Sequence, residues 1–159
     1  MEPPLPPLED AYRSLMEDLA QLVGLRSRPG SLHHTGNFKF NGVALTIALD
    51  SREGQLVQVF IDFGACPTEK ALPVYKRLLE VNLLLGAQGS PRLALDPVTD
   101  RVVFTYSSAL HGLTAQALLA GIEQAAGQAS EWRESFFIDE TPPARAQGGM
   151  FGMRHALHV

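Results

Sequence analysis

Residues 38–63 read FKFNGVALTIALDSREGQLVQVFIDF, and their spacing limits the class of fold that this chain can adopt. Phe38 and Phe40 precede the dipeptide Asn41-Gly42, which favours a two-residue turn between antiparallel strands. Beyond this turn, apolar residues alternate with smaller or polar ones in two runs, which is the period of strands with one buried face. The alternating positions are Val43, Leu45, Ile47, Leu49, Val57, Val59, Ile61 and Phe63. Three consecutive antiparallel strands are therefore predicted.

Segments on both sides of these strands have helical spacing. Apolar residues recur every three or four positions over roughly residues 8–25, over residues 68–86, and from Thr114 to about Phe137. We expect Pro73 in the first turn of the second helix, where its missing N–H costs nothing. The Thr114 side chain is expected to cap the third helix.

Two further strands, Arg92–Leu95 and Arg101–Tyr106, flank the sequence DPVTD at residues 96–100, which favours a tight turn. The element order is then α-β-β-β-α-β-β-α, without the strand-helix-strand alternation of a parallel sheet. We therefore predict an α+β fold in which three helices pack on an antiparallel sheet of about five strands.

The length of 159 residues suits one domain. We expect this domain to cover residues 1–137. Residues 138–159 are expected to form an irregular C-terminal tail, because they contain Pro142, Pro143 and several glycines without a sustained period. Residues 26–36 are polar and are predicted to form a loop before the sheet begins.

The composition excludes several classes of function. Apolar residues make up 45% of the chain and charged residues 19%, as in packed globular proteins. The net charge of −4 and the absence of a dense Lys or Arg run argue against a nucleic-acid partner. We also expect no secretory signal and no membrane span, since no apolar run reaches about 18 residues. The single cysteine, Cys66, fits a reducing cytoplasm.

Residues that could carry chemistry lack the spacing that chemistry requires. The five histidines fall in predicted loops or in the tail, and no two of them have the i,i+4 spacing of a helical ligand pair beside a carboxylate. Asp96 and Asp100 are explained by a hairpin turn, and the sequence GAQG at residues 86–89 by the end of a helix. The sequence SSALH at residues 107–111 lacks a nucleophile elbow and an orienting acid. We expect no metal, no cofactor and no enzymatic activity.

The helix over residues 68–86 is apolar around nearly its whole circumference. Two explanations are open: the helix is buried inside the monomer, or a second copy of the chain covers one of its faces. We predict a homodimer formed through this helix. Its predicted interface residues are Tyr75, Leu78, Leu79, Asn82 and Leu83.

Phe60 has the opposite parity to the alternating apolar residues of its strand, so it points away from them together with Leu56. It either lies under a helix or is part of an exposed docking surface with Phe38 and Phe40. A hairpin register could bring the three phenylalanines onto one surface. We predict that Phe38, Phe40, Leu56 and Phe60 bind a protein partner.

One family pattern matches these features. The sequence YKRLLEVNLLLG at residues 75–86 carries an Asn among leucines, and LALDPVTDRVVF follows at residues 93–104. In these segments, and in size, acidity and element order over about residues 8–136, the chain resembles the Tir-chaperone (CesT-like) family of class I type III secretion chaperones. The resemblance implies a bacterial cytoplasmic homodimer without nucleotide. Such a dimer holds an N-proximal segment of a secreted effector protein in extended form.

Three functions follow as hypotheses. The first is a chaperone that keeps an effector secretion-competent by adding its extended segment along the sheet and seating its leucines in apolar pockets. The alternative is a regulatory or scaffold dimer of similar α+β build that binds a folded protein partner. A small hydrolase using Ser107, Ser108 and His111 is a third hypothesis, for which no acidic partner is identified.

Overall fold

The computed structural model describes residues 8–24, 35–50, 52, 55–85 and 91–138. The prediction of an irregular tail falls on residues that are, apart from Ile138, outside this part of the chain. The helices are α1 (Leu8–Leu22), α2 (Ala71–Leu85) and α3 (Ala115–Ser135), and a 3₁₀ turn at Thr68–Lys70 leads into α2. The strands are β1 (Thr35–Phe40), β2 (Val43–Asp50), β3 (Leu56–Ala65), β4 (Arg92–Leu95) and β5 (Arg101–Ala109).

The five strands form one sheet in the order β1-β2-β3-β5-β4, and all four neighbouring pairs are antiparallel. Helices α1 and α3 contact each other, and α3 lies across β2 and β3. Helix α2 contacts β4, at one edge of the sheet. The predicted α+β fold and element order are confirmed.

The β1–β2 hairpin closes at the Phe40–Val43 pair, and Asn41 and Gly42 form its turn with φ of 47° and 78°. Positive φ at both positions is the mark of a two-residue type I′ turn, for which Asn-Gly is favoured. The turn thereby fixes the register of β1 against β2.

The prediction of a loop over residues 26–36 is wrong at its end, because β1 already begins at Thr35. Gly36 pairs with Ile47 and is buried. A Cβ atom at Gly36 would lie 2.8 Å from the Phe38 ring and 2.9 Å from the Met16 methyl. This glycine therefore permits close packing within a strand, where the sequence suggested a loop.

Strand β5 is also longer than predicted, since it extends to Ala109 instead of ending at Tyr106. Ser107 pairs with Gln58, and Ser108 pairs with Val57. Their polar character suggested a loop, but the long partner strand β3 continues the ladder past them. Polar residues are common in strands that have one open face.

The core lies between the sheet and the helices α1 and α3. Tyr12, on α1, is fully buried and donates its hydroxyl hydrogen to the Ile47 carbonyl at 3.1 Å. Trp132, on α3, is equally buried, and its ring contacts Phe63 at a centroid distance of 6.0 Å. Phe63 stacks on Phe104 at 5.6 Å. Large side chains from both helices thus interlock with one face of the sheet.

Two arginines attach the end of α3 to the rest of the fold. The Arg133 guanidinium donates to the Phe63 and Asp62 carbonyls at 2.7 and 2.8 Å, at the point where a bulge interrupts the β3–β5 register. Arg77, which is buried on α2, donates to the Phe137 carbonyl at 3.0 Å. The α3 terminus, the bulge and α2 are therefore positioned together.

Candidate partner-binding surfaces

The register assigns the predicted partner-binding residues to two opposite faces of the sheet. Phe38 pairs with Leu45, and Leu45 pairs with Ile61, so all three point toward the helices. Phe60 pairs with Thr46 and therefore points the other way. The prediction that Phe38, Phe40 and Phe60 share one surface is wrong. Side chains alternate along each strand, so the pairing register decides which face each one joins.

Phe38 and Phe40 line a groove on the helix side of the sheet. This helix-side groove has a volume of about 370 Å3 and lies where α1 and α3 meet the β1–β2 hairpin. Its lining is mostly apolar and consists of Leu19, Leu22, Val23, Phe38, Phe40, Leu45, Leu119 and Ile122, with Lys39, Asn41 and Glu123 as polar members. Phe38 and Phe40 are half-buried, so they support the core and still present surface to the groove.

Phe60 lies in a shallow depression on the opposite, outer face of the sheet. This outer depression has a volume of about 850 Å3, and small or short side chains such as Ala44, Thr46 and Thr105 surround Phe60 in it. Leu56 has the same parity as Phe60 and is likewise half-buried, four residues away on β3. Neither residue is fully buried.

An ion pair forms one wall of the outer depression. The Arg101 guanidinium donates to both carboxylate oxygens of Asp62, with N–O distances between 2.7 and 3.0 Å. The hydrogen bonds to Asp62 raise the pKa of Arg101. A fixed planar pair of this kind can bind polar backbone groups of a partner.

Strand β1 is an edge of the sheet. Because Phe40 and Val43 close a two-residue hairpin, Phe40, Phe38 and Gly36 direct their backbone groups at β2. Asn37 and Lys39 direct theirs away from the sheet, and within the described residues nothing bonds to these groups. This edge can accept an added strand.

The predicted dimer residues on α2 fall into two groups. Leu79 and Leu83 are exposed by 70% and 84%, and Leu72, on the same face of the helix, is exposed by 81%. In contrast, Leu78 is packed in the core of its own chain, and Tyr75 is half-buried. The explanation that α2 is buried inside the monomer is therefore wrong for one face. We name Leu72, Leu79 and Leu83 the α2 stripe.

Asn82 is engaged within its own chain. Its side-chain amide donates to the Leu93 carbonyl at 2.8 Å, and its amide oxygen accepts the Leu93 N–H at 2.8 Å. The sequence predicts Asn82 at the dimer interface because it lies on the helix that is apolar around nearly its whole circumference. Its contact with β4 could not be read from spacing, since Leu93 is eleven residues away.

The groups considered for chemistry are placed as follows. Asp96 accepts a hydrogen bond from the Val98 N–H at 2.8 Å, which lowers the pKa of Asp96 and fixes the hairpin turn. Burial, together with the charge of Glu69, raises the pKa of the Cys66 thiol, which disfavours the nucleophilic thiolate. Ser107 and Ser108 are consecutive on β5 and point to opposite faces, and His111 is exposed beyond the strand.

Within the described residues, no cluster of three or more His, Cys, Asp or Glu could hold a metal ion. None of the helices found in them is both long and apolar enough to cross a membrane.

Some groove residues were not singled out as binding residues from sequence. Leu19 and Leu22 are on α1, and Leu119 and Ile122 are on α3. Their helical spacing predicted that they belong to an apolar helix face. Spacing cannot show which residues of such a face are buried in the core and which line a groove. Leu22, near the end of α1, is 45% exposed, and only its proximity to the hairpin makes it a groove residue.

Comparison with known proteins extends these observations. The sequence pattern of the Tir chaperone protein (CesT) family matches residues 14–133. No curated protein matches the sequence.

Several solved structures have the same fold. One is the Yersinia pestis type III secretion chaperone SycH, solved in complex with a stable fragment of YscM2. Its sequence identity to this chain is 20% and the TM-score is 0.57, and the alignment covers 76% of this chain and 98% of the other. The ExsC-ExsE complex contains a chain with 14% sequence identity and a TM-score of 0.63. The alignment covers 86% of this chain and 100% of that one. The HopA1-SchA chaperone-effector complex contains a chain with 17% sequence identity and a TM-score of 0.63. The alignment covers 82% of this chain and 99% of that one. At these identities the likeness concerns the fold.

Proposed function

This chain belongs to the Tir chaperone protein (CesT) family, and on that premise we propose that it is a cytoplasmic bacterial chaperone of type III secretion. It binds an N-proximal segment of a secreted effector protein and keeps it extended and secretion-competent. The solved structures with this fold include complexes of chaperones with their partners, which supports a protein ligand. The function requires no catalytic step, no metal and no nucleotide.

The observation that carries this proposal is the open edge of β1 between two concave surfaces. A strand added along β1 would direct alternate side chains to the two faces of the sheet. On one face they would meet the helix-side groove, with Phe38 and Phe40. On the other they would approach Asn37 and Lys39, at the rim of the outer depression. One extended segment can therefore use both surfaces.

Energetics favour apolar anchors in that segment. An unfolded effector segment loses conformational entropy when it binds, and buried apolar area at about 25 cal/mol per Å2 must offset this loss. Backbone hydrogen bonds to β1 satisfy the polar groups of the segment but add little net free energy. Leucine or aromatic side chains entering the helix-side groove would supply most of the affinity.

Proline at position 39 tests the mode of binding. Lys39 is exposed and its N–H points away from the sheet, so Lys39→Pro removes a donor from the open edge while β1 stays paired with β2. We expect calorimetric titration with an N-terminal fragment of a secreted effector from the same bacterium to show binding at least tenfold weaker. Lys39→Ala, which retains the N–H, is the control and should bind like the wild type. Equal affinity of both variants and the wild type would exclude addition at β1.

We further propose that the protein is a homodimer formed through the α2 stripe. Three leucines exposed on one helix face form an apolar surface that a two-fold related copy can cover. Tyr75 lies beside the stripe and can contribute at its margin. Leu78 is already covered within its own chain, so we assign it to the support of α2.

Charge substitution in the stripe tests the dimer. Leu83→Asp places a carboxylate in the proposed interface, and sedimentation equilibrium should show a folded monomer. Val98→Asp is the matched control, because Val98 is 89% exposed in the β4–β5 turn and lies outside the stripe. This control should remain a dimer. A wild-type protein that sediments as a monomer would contradict the proposal.

A further inference from the structure

The two edges of the sheet differ in whether a strand can be added. The Asn82 side chain makes two hydrogen bonds of 2.8 Å to β4, one to the Leu93 N–H and one to the Leu93 carbonyl. These are the bonds that a residue of a neighbouring strand would make with Leu93. The side-chain amide of Asn82 thus replaces one residue of a partner strand.

The remaining outward positions of β4 offer little to an added strand. Strand β4 has four residues. The backbone N–H and C=O groups point outward at Leu93 and at the residues two positions before it and two positions after it. The earlier one is Pro91, which has no N–H to donate. The later one is Leu95, which precedes the turn at Asp96. With Leu93 engaged, Leu95 alone presents a complete backbone pair, and one residue does not make a ladder.

We propose that Asn82 is a specificity-determining residue that closes the β4 edge, so that an extended partner segment can pair only with β1. The statement that an effector segment pairs with β1 rests on the proposed function. The closing of the β4 edge is independent of it, because it concerns this chain alone. Unprotected edges can also pair with each other, and Asn82 therefore prevents association of chaperone molecules through the β4 edge.

A substitution at position 82 separates edge closure from simple support of the helix. Asn82→Leu has a similar size and removes both hydrogen bonds to Leu93. In hydrogen-exchange experiments on the full chain, we expect the Leu93 amide to exchange at least tenfold faster than in the wild type. Analytical ultracentrifugation at rising concentration should also show species larger than the wild type. Asn82→Ala serves in its place if the leucine variant does not fold.

Two further variants identify the surface responsible. Asn37→Leu makes the same chemical change on strand β1. The Asn37 side chain accepts a hydrogen bond from the Thr46 hydroxyl and does not cover the backbone of an edge. It should keep the wild-type mass, so added surface leucine would not explain the association. Ala94→Lys, combined with Asn82→Leu, puts a charge on the exposed face of β4 and should restore the wild-type mass. A merely structural role for Asn82 would not be rescued in this way.

The wild-type protein provides a test that needs no variant. The Leu93 amide, which is bonded to Asn82, should exchange at least tenfold more slowly than the Leu95 amide. Equal exchange at these two amides would overturn the proposal, as would an Asn82→Leu protein of unchanged mass. Weak effector binding by the wild type would instead count against the proposed function and leave the closed edge intact.

Discussion

The two faces of the sheet have the same strands and opposite surroundings. On the helix side, Val57, Val59 and Ile61 are fully buried beneath α1 and α3. On the outer face, Gln58 and Phe60 alternate with them and stay partly exposed. A residue on the first face stabilises the fold, whereas a residue on the second is available to a partner. Phe60 and Phe63 are three positions apart in one strand, so alternation directs one to the outer face and the other to the core.

Removing Trp132 should have the largest effect on stability. This side chain is fully buried, and its ring contacts Phe63 and Phe136. We expect Trp132→Ala to lower the free energy of unfolding by about 3–5 kcal/mol, because it leaves a large cavity on the covered face. Urea unfolding followed by circular dichroism measures this loss. A loss below about 1 kcal/mol would mean that the covered face tolerates truncation as the outer face does.

Alkaline pH should destabilise the covered face through Tyr12. Burial raises the pKa of Tyr12 from 10.0 to about 12. Above pH 10 the unfolded chain therefore releases a proton that the folded chain retains, and stability falls as the pH rises to 12. The loss from this residue is roughly 2 kcal/mol.

A phenylalanine variant isolates this contribution of Tyr12. At pH 7, Tyr12→Phe should be less stable than the wild type by about 1 kcal/mol, since it lacks the hydrogen bond to Ile47. The variant should become the more stable protein above about pH 11, where the wild type loses stability. Parallel urea titrations at both pH values measure the difference. An unchanged order of stability at high pH would show that Tyr12 ionises without unfolding.

Two glycines of α3 distinguish the covered side of that helix from its exposed side. A Cβ at Gly121 would lie 2.9 Å from the Tyr106 hydroxyl oxygen, whereas nothing lies within 4 Å of one at Gly127. We expect Gly121→Ala to destabilise by about 1–2 kcal/mol through overpacking. Gly127→Ala, the matched control, should stabilise by up to about 1 kcal/mol. Thermal unfolding of both variants measures these opposite signs.

A second substitution tests the cause of the Gly121 effect. The Tyr106 hydroxyl is buried and has no hydrogen-bond partner among the described residues. Tyr106→Phe removes the crowded oxygen without breaking a bond that the structure shows. In the Gly121→Ala background it should recover most of the lost stability. A double-mutant cycle without coupling would exclude this contact as the cause.

Phe60→Ala should have the smallest effect on stability and a clear effect on binding. Phe60 is half-buried on the outer face, so the free energy of unfolding should fall by about 1 kcal/mol or less. If the outer depression holds an effector anchor, affinity should fall by roughly 1–3 kcal/mol while the dimer stays intact. Calorimetric titration of an effector N-terminal fragment, with circular dichroism, separates the two effects. Unchanged affinity would assign effector binding to the helix-side groove alone.

Much of the fold could be predicted from local patterns. Period-two alternation predicted β2 and β3, and Asn41-Gly42 predicted the hairpin turn that the structure contains. The Thr114 side chain accepts a hydrogen bond from the Ala117 N–H, as expected of a helix cap. Each of these features depends on residues a few positions apart, so local spacing was sufficient.

Boundaries and surfaces were harder to predict, because they depend on distant residues. Gly36 belongs to a strand because it pairs with Ile47 of β2, and the Phe38 ring and the Met16 methyl leave no space for a Cβ there. The serines at the end of β5 are in a strand because β3 continues beside them. Neither reason can be read from the local sequence.

The family, the element order and the alternation of the central strands all follow from local patterns in the chain. In contrast, the positions of Phe38 and Phe60 on opposite faces, and the bonds from Asn82 to β4, depend on how the elements pack in three dimensions. The physical reason is that alternation fixes the relative parity of residues within a strand, while pairing between strands fixes which face they share. The side-chain bonds of Asn82 likewise depend on how α2 lies against an edge strand that follows it in the chain.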